Sequence, residues 1–208
     1  MTNVLIVDDE RIVQELFASY IEKAKDRYSL AGMLKDAGNV DVYCAGGRIG
    51  MILMDVCTAN EQSGIAAAAR VKKKYPWIKI VIVTSAPDYR FLEKAREAGA
   101  DSFWYKEVSK EELLSVMDRT MAGEHVYPEA PPEVYLGLAR STEFTPKELE
   151  LLGYLLTNKS LHEIADIMGV DYSTTRYHVK NLKEKTGAKS VVELCYLALK
   201  SRMILPEY

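Results

Sequence analysis

"TNVLIVDDER", residues 2–11, sets an unbroken apolar run, Val4-Leu5-Ile6-Val7, directly against Asp8-Asp9-Glu10. A short β-branched run of this kind suits a strand buried on both faces of a parallel sheet. One acid at its end would cap the helix that starts near Arg11. Adjacent acids at the carboxyl end of a first strand suggest instead a place where a cation is wanted.

Outward from that stretch, strand-like and helix-like runs alternate. Strands are predicted at Leu30–Leu34, at Met51–Met54 ending in Asp55, at Ile78–Val83 ending in Thr84, and at Ser102–Tyr105 ending in Lys106. Helices are predicted through Ile12–Ile21, weakly over 38–48, at Gly64–Lys74, at Tyr89–Ala98, and from a Ser109/Glu112 capping box to about Gly123. Five βα units predict an α/β domain over residues 1–123, a flavodoxin-like doubly wound sheet of five parallel strands. Phe103, Trp104 and Tyr105 read first as strand core. Residues 124–142 hold Pro128, Pro131 and Pro132 and read as a stiffened linker with a short helix at 132–140. Thr145-Pro146-Lys147-Glu148 is a clean helix start. Four helical runs follow, near 146–156, 161–168, 173–186 and 190–201, making residues 143–208 a second, all-α domain.

The 208 residues are 48% hydrophobic and 27% charged, in the range of ordinary globular chains. A net charge of -3 excludes a general polyanion binder. Within 173–189, however, Arg176, Lys180, Lys183, Lys185 and Lys189 stand against Glu184 alone. Cys44, Cys57 and Cys195 are far apart with no CxxC, so neither a disulfide framework nor a zinc site is expected. No run approaches the ~18 apolar residues of a membrane span. The N-terminus enters a strand without a signal-peptide layout, so the expected location is cytoplasmic, with no membrane partner.

In an open α/β sheet, ligands bind beyond the carboxyl ends of the strands. Those ends carry Asp8-Asp9, Asp55, Thr84 and Lys106, which converge if the first, third, fourth and fifth strands lie side by side. Clustered carboxylates raise one another's pKa, and Mg²⁺ relieves that. Asp55 would be a nucleophile towards phosphorus, with Lys106 and the Thr84 hydroxyl on the remaining phosphoryl oxygens.

This set resembles the receiver domain of two-component response regulators, over residues 3–122. The resemblance implies that Asp55 is the phosphoacceptor, that Asp9 is a direct Mg²⁺ ligand and that Asp8 acts largely through metal-bound water. It assigns the Cys57 carbonyl to the metal, the switch hydroxyl to Thr84, phosphate binding to Lys106 and the switch aromatic to Phe103. Two features depart from the family pattern. Gly64 stands nine residues after Asp55 rather than eight, which lengthens the loop, and Glu107 replaces the usual proline after the lysine.

In "LHEIADIMGVDYSTTRYHVKNLKEKTG", Thr175, Val179, Leu182 and Thr186 share one helical face, while Arg176, Lys180 and Lys183 share another with Tyr177 beside them. A helix that packs on one side and is positive on the other suits a DNA major groove. The stretch resembles the LuxR/FixJ helix-turn-helix, through "TPKELELL", "LHEIADIMGV" and "TTRYHVKNLKEKTG". The resemblance implies DNA contacts at Ser173, Thr174, Arg176, Tyr177 and Lys180, and Lys183 joins them from its charge. Thr175 and Thr186 replace the family's usual Val and Leu. Val191, Leu194, Cys195 and Ala198 form the candidate pairing face of the last helix.

The whole then resembles a NarL/FixJ-class regulator, a transcription factor rather than an enzyme. It would be phosphorylated by a sensor histidine kinase, bind two half-sites of double-stranded DNA as a homodimer, and act on the transcription machinery. Two other readings stay open. One is a Mg²⁺-dependent phosphotransferase or phosphohydrolase, although its usual DxD is not present. The other is a phosphorylation-independent DNA-binding regulator, which the lengthened loop keeps open.

Overall fold

The computed structural model of the chain describes residues 1–106, 110–157 and 159–205. These form two units, the first built on Met1–Ser85 and Arg90–Ala130, the second mainly on the residues from Pro131 onward.

In the first unit, β1 (Thr2–Val7), α1 (Arg11–Lys23), β2 (Tyr28–Leu34), α2 (Val40–Ala45), β3 (Met51–Asp55), β4 (Cys57–Thr58), β5 (Gln62–Ser63) and α3 (Gly64–Lys74) follow in turn. They are succeeded by β6 (Lys79–Thr84), α4 (Arg90–Glu97), β7 (Ser102–Tyr105) and α5 (Lys110–Met121). The main sheet is parallel with order β2-β1-β3-β6-β7. That order brings the ends of β1, β3, β6 and β7 side by side, as the sequence requires for its polar groups to meet.

The central strands are apolar between their ends because both of their faces are covered. Val4, Ile6, Met51, Leu53, Val81, Val83 and Trp104 turn towards Phe17 and Ile21 of α1 and Leu113 and Met117 of α5. The alternate residues Leu5, Ile52, Met54, Ile80 and Ile82 are also fully buried. The face opposite is covered in part by α3, which packs on β3 and β6. Phe103, Trp104 and Tyr105 are all buried, as strand core should be. β2 is an edge strand, half exposed, with a register shift against Val4/Leu5 that blunts it as a template for further pairing.

Three expectations change in detail. The second strand starts earlier, at Tyr28. The weak helix at 38–48 is a 3₁₀ turn at Ala37–Asn39 followed by the short α2. In α1 the buried stripe is Gln14, Phe17 and Ile21, while Ile12 and Leu16 stay in solvent. Ser109, the expected cap of α5, lies outside the described residues, as does Glu107.

In the second unit the expected helix at 132–140 is instead a β-hairpin, β8 (Tyr135–Leu136) with β9 (Ala139–Arg140). The reason is where Gly137 meets the end of the chain's eighth α-helix, residues 172–186. Gly137 turns the chain at φ +62°, and a Cβ there would fall 2.1 Å from the Thr186 carbonyl oxygen. The helices α6 (Pro146–Leu155), α7 (Leu161–Met168), α8 (Tyr172–Thr186) and α9 (Val191–Ser201) follow. They close over a core that includes Leu136, Leu151, Leu152, Ile164, Val179, Leu182, Leu194 and Ala198. Thr145 and Ser160 each form a capping box, with Glu148 and Glu163. Thr175 and Thr186 are buried without penalty because each hydroxyl donates one turn back, to the Asp171 and Leu182 carbonyls.

Glu148 is 3% exposed yet charged. Its carboxylate accepts from the Thr145 N–H at 2.8 Å and from Lys185 Nζ at 2.8 Å. Burial alone would raise its pKa, but the Lys185 and Thr145 donors hold it below the usual carboxylate value. A depressed folded pKa stabilises above the unfolded pKa and is lost as pH falls through the acid range. Glu148→Gln is expected to cost about 1–3 kcal/mol near neutral pH and to flatten the acid-side decline of this unit's stability, measured by denaturant titration at several pH values.

Gly64 opens α3 against the end of β3, where an added Cβ would stand 1.7 Å from the Asp55 carbonyl oxygen. Gly64→Ala must therefore displace strand or helix. A drop of about 2–10 °C in melting temperature, read by calorimetry, is the expected outcome.

Candidate functional site

The first site lies where β1, β3, β6 and β7 end. Asp8 is fully buried, Asp55 is 5% exposed and Thr84 is 2% exposed, while Asp9 stands in solvent. Lys106 Nζ donates to Asp55 Oδ2 at 2.7 Å and lies 2.6 Å from Asp8 Oδ2. The other Asp55 oxygen accepts from the Val56 N–H at 2.7 Å. Asp8 Oδ1 accepts from the Glu10 N–H at 2.9 Å. The Lys106 N–H bonds to the Thr84 carbonyl at 2.9 Å, extending the β6–β7 pairing into the site.

Burial pushes the Asp55 carboxyl up to about 6; Lys106 opposes the rise and Asp8 adds to it. Asp8 is raised for the same first reason, burial outweighing Lys106. Burial works against the charge of Lys106 as well, but the two carboxylates reverse this and hold the ammonium above its ordinary value. Among the described residues one ammonium stands among three acids, which leaves the pocket short of positive charge. Oxygens of Asp8, Asp9 and Asp55 lie within 4.8 Å of one another. A compact set of carboxylates with no nitrogen or sulfur among them fits a hard, oxygen-seeking dication.

The loop after Asp55 folds into a miniature hairpin. Cys57 pairs with Ser63 across β4 and β5, and Asn60 and Glu61 take left-handed backbone at φ 59° and 55°. Side chains hold this conformation. Asn60 donates to Asp36 Oδ2 at 2.8 Å, and the Thr58 hydroxyl donates to the Gln62 carbonyl at 2.7 Å while accepting from the Ala37 N–H. The Cys57 thiol is not one of the clustered ligand atoms. Phe103 is 1% exposed, with its ring 5.1 Å from Tyr105 and 6.2 Å from Tyr127. Its N–H bonds to the Val126 carbonyl at 2.8 Å, so the chain after α5 runs along the free edge of β7.

Sequence reasoning missed Gln14. Buried in α1, it donates to the carbonyls of Asp8 at 2.6 Å and Leu34 at 2.8 Å, tying the acidic turn to the end of β2. The signal was present: a polar residue in line with Phe17 and Ile21 on the apolar stripe.

The second site is the outer face of α8. Thr175, Val179, Leu182 and Thr186 are buried, as their spacing predicts. Ser173, Arg176, Tyr177 and Lys180 are exposed, and Thr174 and Lys183 are half-buried. Arg176, Lys180 and Lys183 line a concave surface of about 580 Å³ together with Lys189, which lies just past the stop at Gly187. Lys185 departs from this basic face. Its ammonium turns inward to Glu148 and to the Glu143 carbonyl at 2.9 Å. Of the expected pairing face on α9, Val191 and Cys195 are half-buried. Leu194 and Ala198 are fully buried in the unit's own core, and the exposed apolar residues are Val192, Tyr196 and Leu199.

Residues 4–118 match the family model of the response regulator receiver domain, and residues 142–198 match that of bacterial regulatory proteins of the luxR family. The response regulator protein VraR of Staphylococcus epidermidis (strain ATCC 12228 / FDA PCI 1200) is 26% identical over 208 residues, covering 97% of this chain and 98% of that protein. VraR of Staphylococcus aureus (strain NCTC 8325 / PS 47) is 25% identical over 206 residues, at the same coverage. Among solved structures, RcsB of Salmonella enterica serovar Typhimurium, bound to promoter rprA in the presence of phosphomimetic BeF3-, aligns with a TM-score of 0.63 at 18% identity, over 95% of this chain and 98% of that one. A LuxR-family two-component response regulator from Aurantimonas sp. SI85-9A1 aligns with a TM-score of 0.55 at 26% identity, over 61% of this chain and 89% of that one. The chain belongs to the two-component response regulators, joining a receiver domain to a LuxR-type helix-turn-helix DNA-binding domain.

Proposed function

We propose that this regulator is switched by phosphorylation of Asp55 and that residues 1–123 control DNA binding by residues 143–208 through the 124–142 connection. The observation that carries the reading is the buried Asp55 carboxylate bonded to Lys106 at 2.7 Å beside Asp8. A phosphohistidine of a sensor histidine kinase is the donor. An Asp55 oxygen attacks its phosphorus, the P–N bond breaks, and the leaving imidazole nitrogen keeps the electron pair and takes a proton. Lys106 already reaches the acceptor and neutralises a phosphoryl oxygen, and the Thr84 hydroxyl bonds another. Asp8, Asp9, Asp55 and the Cys57 carbonyl are the residues that would hold Mg²⁺. When bound, the ion offsets the charge that the three acids and the phosphoryl group accumulate.

Thr84 moves towards the phosphoryl group, Phe103 repacks, and the change reaches the DNA-binding half. The chemistry is one self-phosphorylation and one self-dephosphorylation at Asp55, without turnover of an outside substrate. Ser173, Thr174, Arg176, Tyr177, Lys180 and Lys183 face double-stranded DNA. One short helix makes a small interface, so specificity calls for two half-sites and a homodimer. The partners are then the kinase, DNA and the transcription machinery. No helix among the described residues is long and apolar enough to cross a membrane, which supports a cytoplasmic place of action.

Acetyl phosphate with Mg²⁺ is expected to add one phosphoryl group per chain, by intact mass, and Asp55→Asn to abolish it. Phosphate on Thr84 or Ser85 of the native protein would overturn the assignment. By calorimetry, Asp9→Ala should weaken Mg²⁺ binding about tenfold or more.

For DNA, Arg176→Ala should cost about 1–3 kcal/mol on a selected duplex and relax the preference at one base position. Lys183→Ala should weaken all duplexes alike and lower the salt slope by about one unit. Titrations at several salt concentrations separate the two.

A further inference from the structure

Arg176 does not stand alone on the surface of α8. One turn before it, at i−4 on the same face, is Tyr172, the first residue of the helix. The Arg176 guanidinium carbon lies over the Tyr172 ring, 5.9 Å from its centroid. Tyr172 is itself fixed from the preceding helix. The His162 ring, in the first turn of α7, stacks on it with centroids 3.9 Å apart and planes only 6° from parallel. Three side chains from two helices thus form one pile: imidazole on phenol, with the guanidinium over the phenol. Tyr172 is 37% exposed, so the pile is at the surface and contributes little to the core.

A surface arginine samples many rotamers and gives them up on binding, which weakens whatever contact it makes. An aromatic face under a guanidinium attracts it and narrows that freedom. The ring is useful for this only if it is held still, and the stack on His162 holds it.

We propose that Tyr172, steadied by His162, is a positioning residue for Arg176, pre-orienting its guanidinium for a guanine edge. The inference rests on the reading of α8 as the DNA-reading helix. It assigns Tyr172 no DNA contact of its own: the ring acts through Arg176, and its hydroxyl is dispensable.

The test uses the full-length chain and a duplex selected with it from a random library, beside a scrambled duplex. Tyr172→Leu should weaken binding to the selected duplex about two- to fivefold. It should leave scrambled binding and the salt slope unchanged. Tyr172→Phe, which keeps the ring, should behave as the parent, and His162→Ala should fall between. In an Arg176→Ala background, Tyr172→Leu should cost nothing more. The positioning role is overturned if the Tyr172 and Arg176 losses add, if Tyr172→Leu weakens both duplexes equally, or if Tyr172→Phe is as damaging as Tyr172→Leu. A parent that binds selected and scrambled duplexes alike would instead refute the DNA-reading role of α8 itself, and the positioning role with it.

Discussion

The ammonium of Lys106 between the carboxylates of Asp8 and Asp55 is the contact on which the first unit is organised. Each of the three groups is on a different strand or strand end, and each is nearly buried. Removing charges from water is costly, and such a set persists only with close partners. Lys106 supplies one positive charge where two buried acids converge, with Asp9 at the rim. The pocket is therefore held together and still short of cation. That imbalance is what supports the Mg²⁺ and phosphoryl group proposed for it.

Several less conspicuous features serve this geometry. Gln14 bonds the backbone of the acidic turn to that of β2, which keeps Asp8 aimed inward. Gly64 lets α3 begin against the Asp55 carbonyl, an approach that no residue with a Cβ permits. The miniature hairpin at Cys57–Ser63 closes the loop after Asp55 at the expense of two left-handed non-glycine residues. Asp36, Thr58 and Asn60 offset that strain with side-chain bonds.

The second unit uses charge differently. On α8, burial of Thr175, Val179, Leu182 and Thr186 fixes the rotation of the helix, and the basic residues then face out by geometry alone. Lys185 is the exception that shows how local the rule is. Its long side chain reaches back to Glu148 and joins α8 to α6, so one formal charge of the stripe belongs to the scaffold.

Much of this was legible in the chain itself. The apolar runs ending in Asp8, Asp55 and Thr84, and the aromatic run ending in Lys106, specify a parallel sheet and the edge where its polar groups stand, because strands covered on both faces admit few polar residues until they end. The i, i+4, i+7 spacing in α8 separates core from basic face for the same reason of periodicity. Other features depend on contacts between residues far apart in sequence. Whether residues 132–140 form a helix or a hairpin turned on the fit of Gly137 against Thr186. That Lys185 faces inward turned on where α6 placed Glu148, and that Leu194 and Ala198 lie in the core turned on how α9 packs. The sequence determines which groups are available at each strand end and helix face. The tertiary structure decides which of them meet, since burial and pairing are properties of neighbours brought together only by folding.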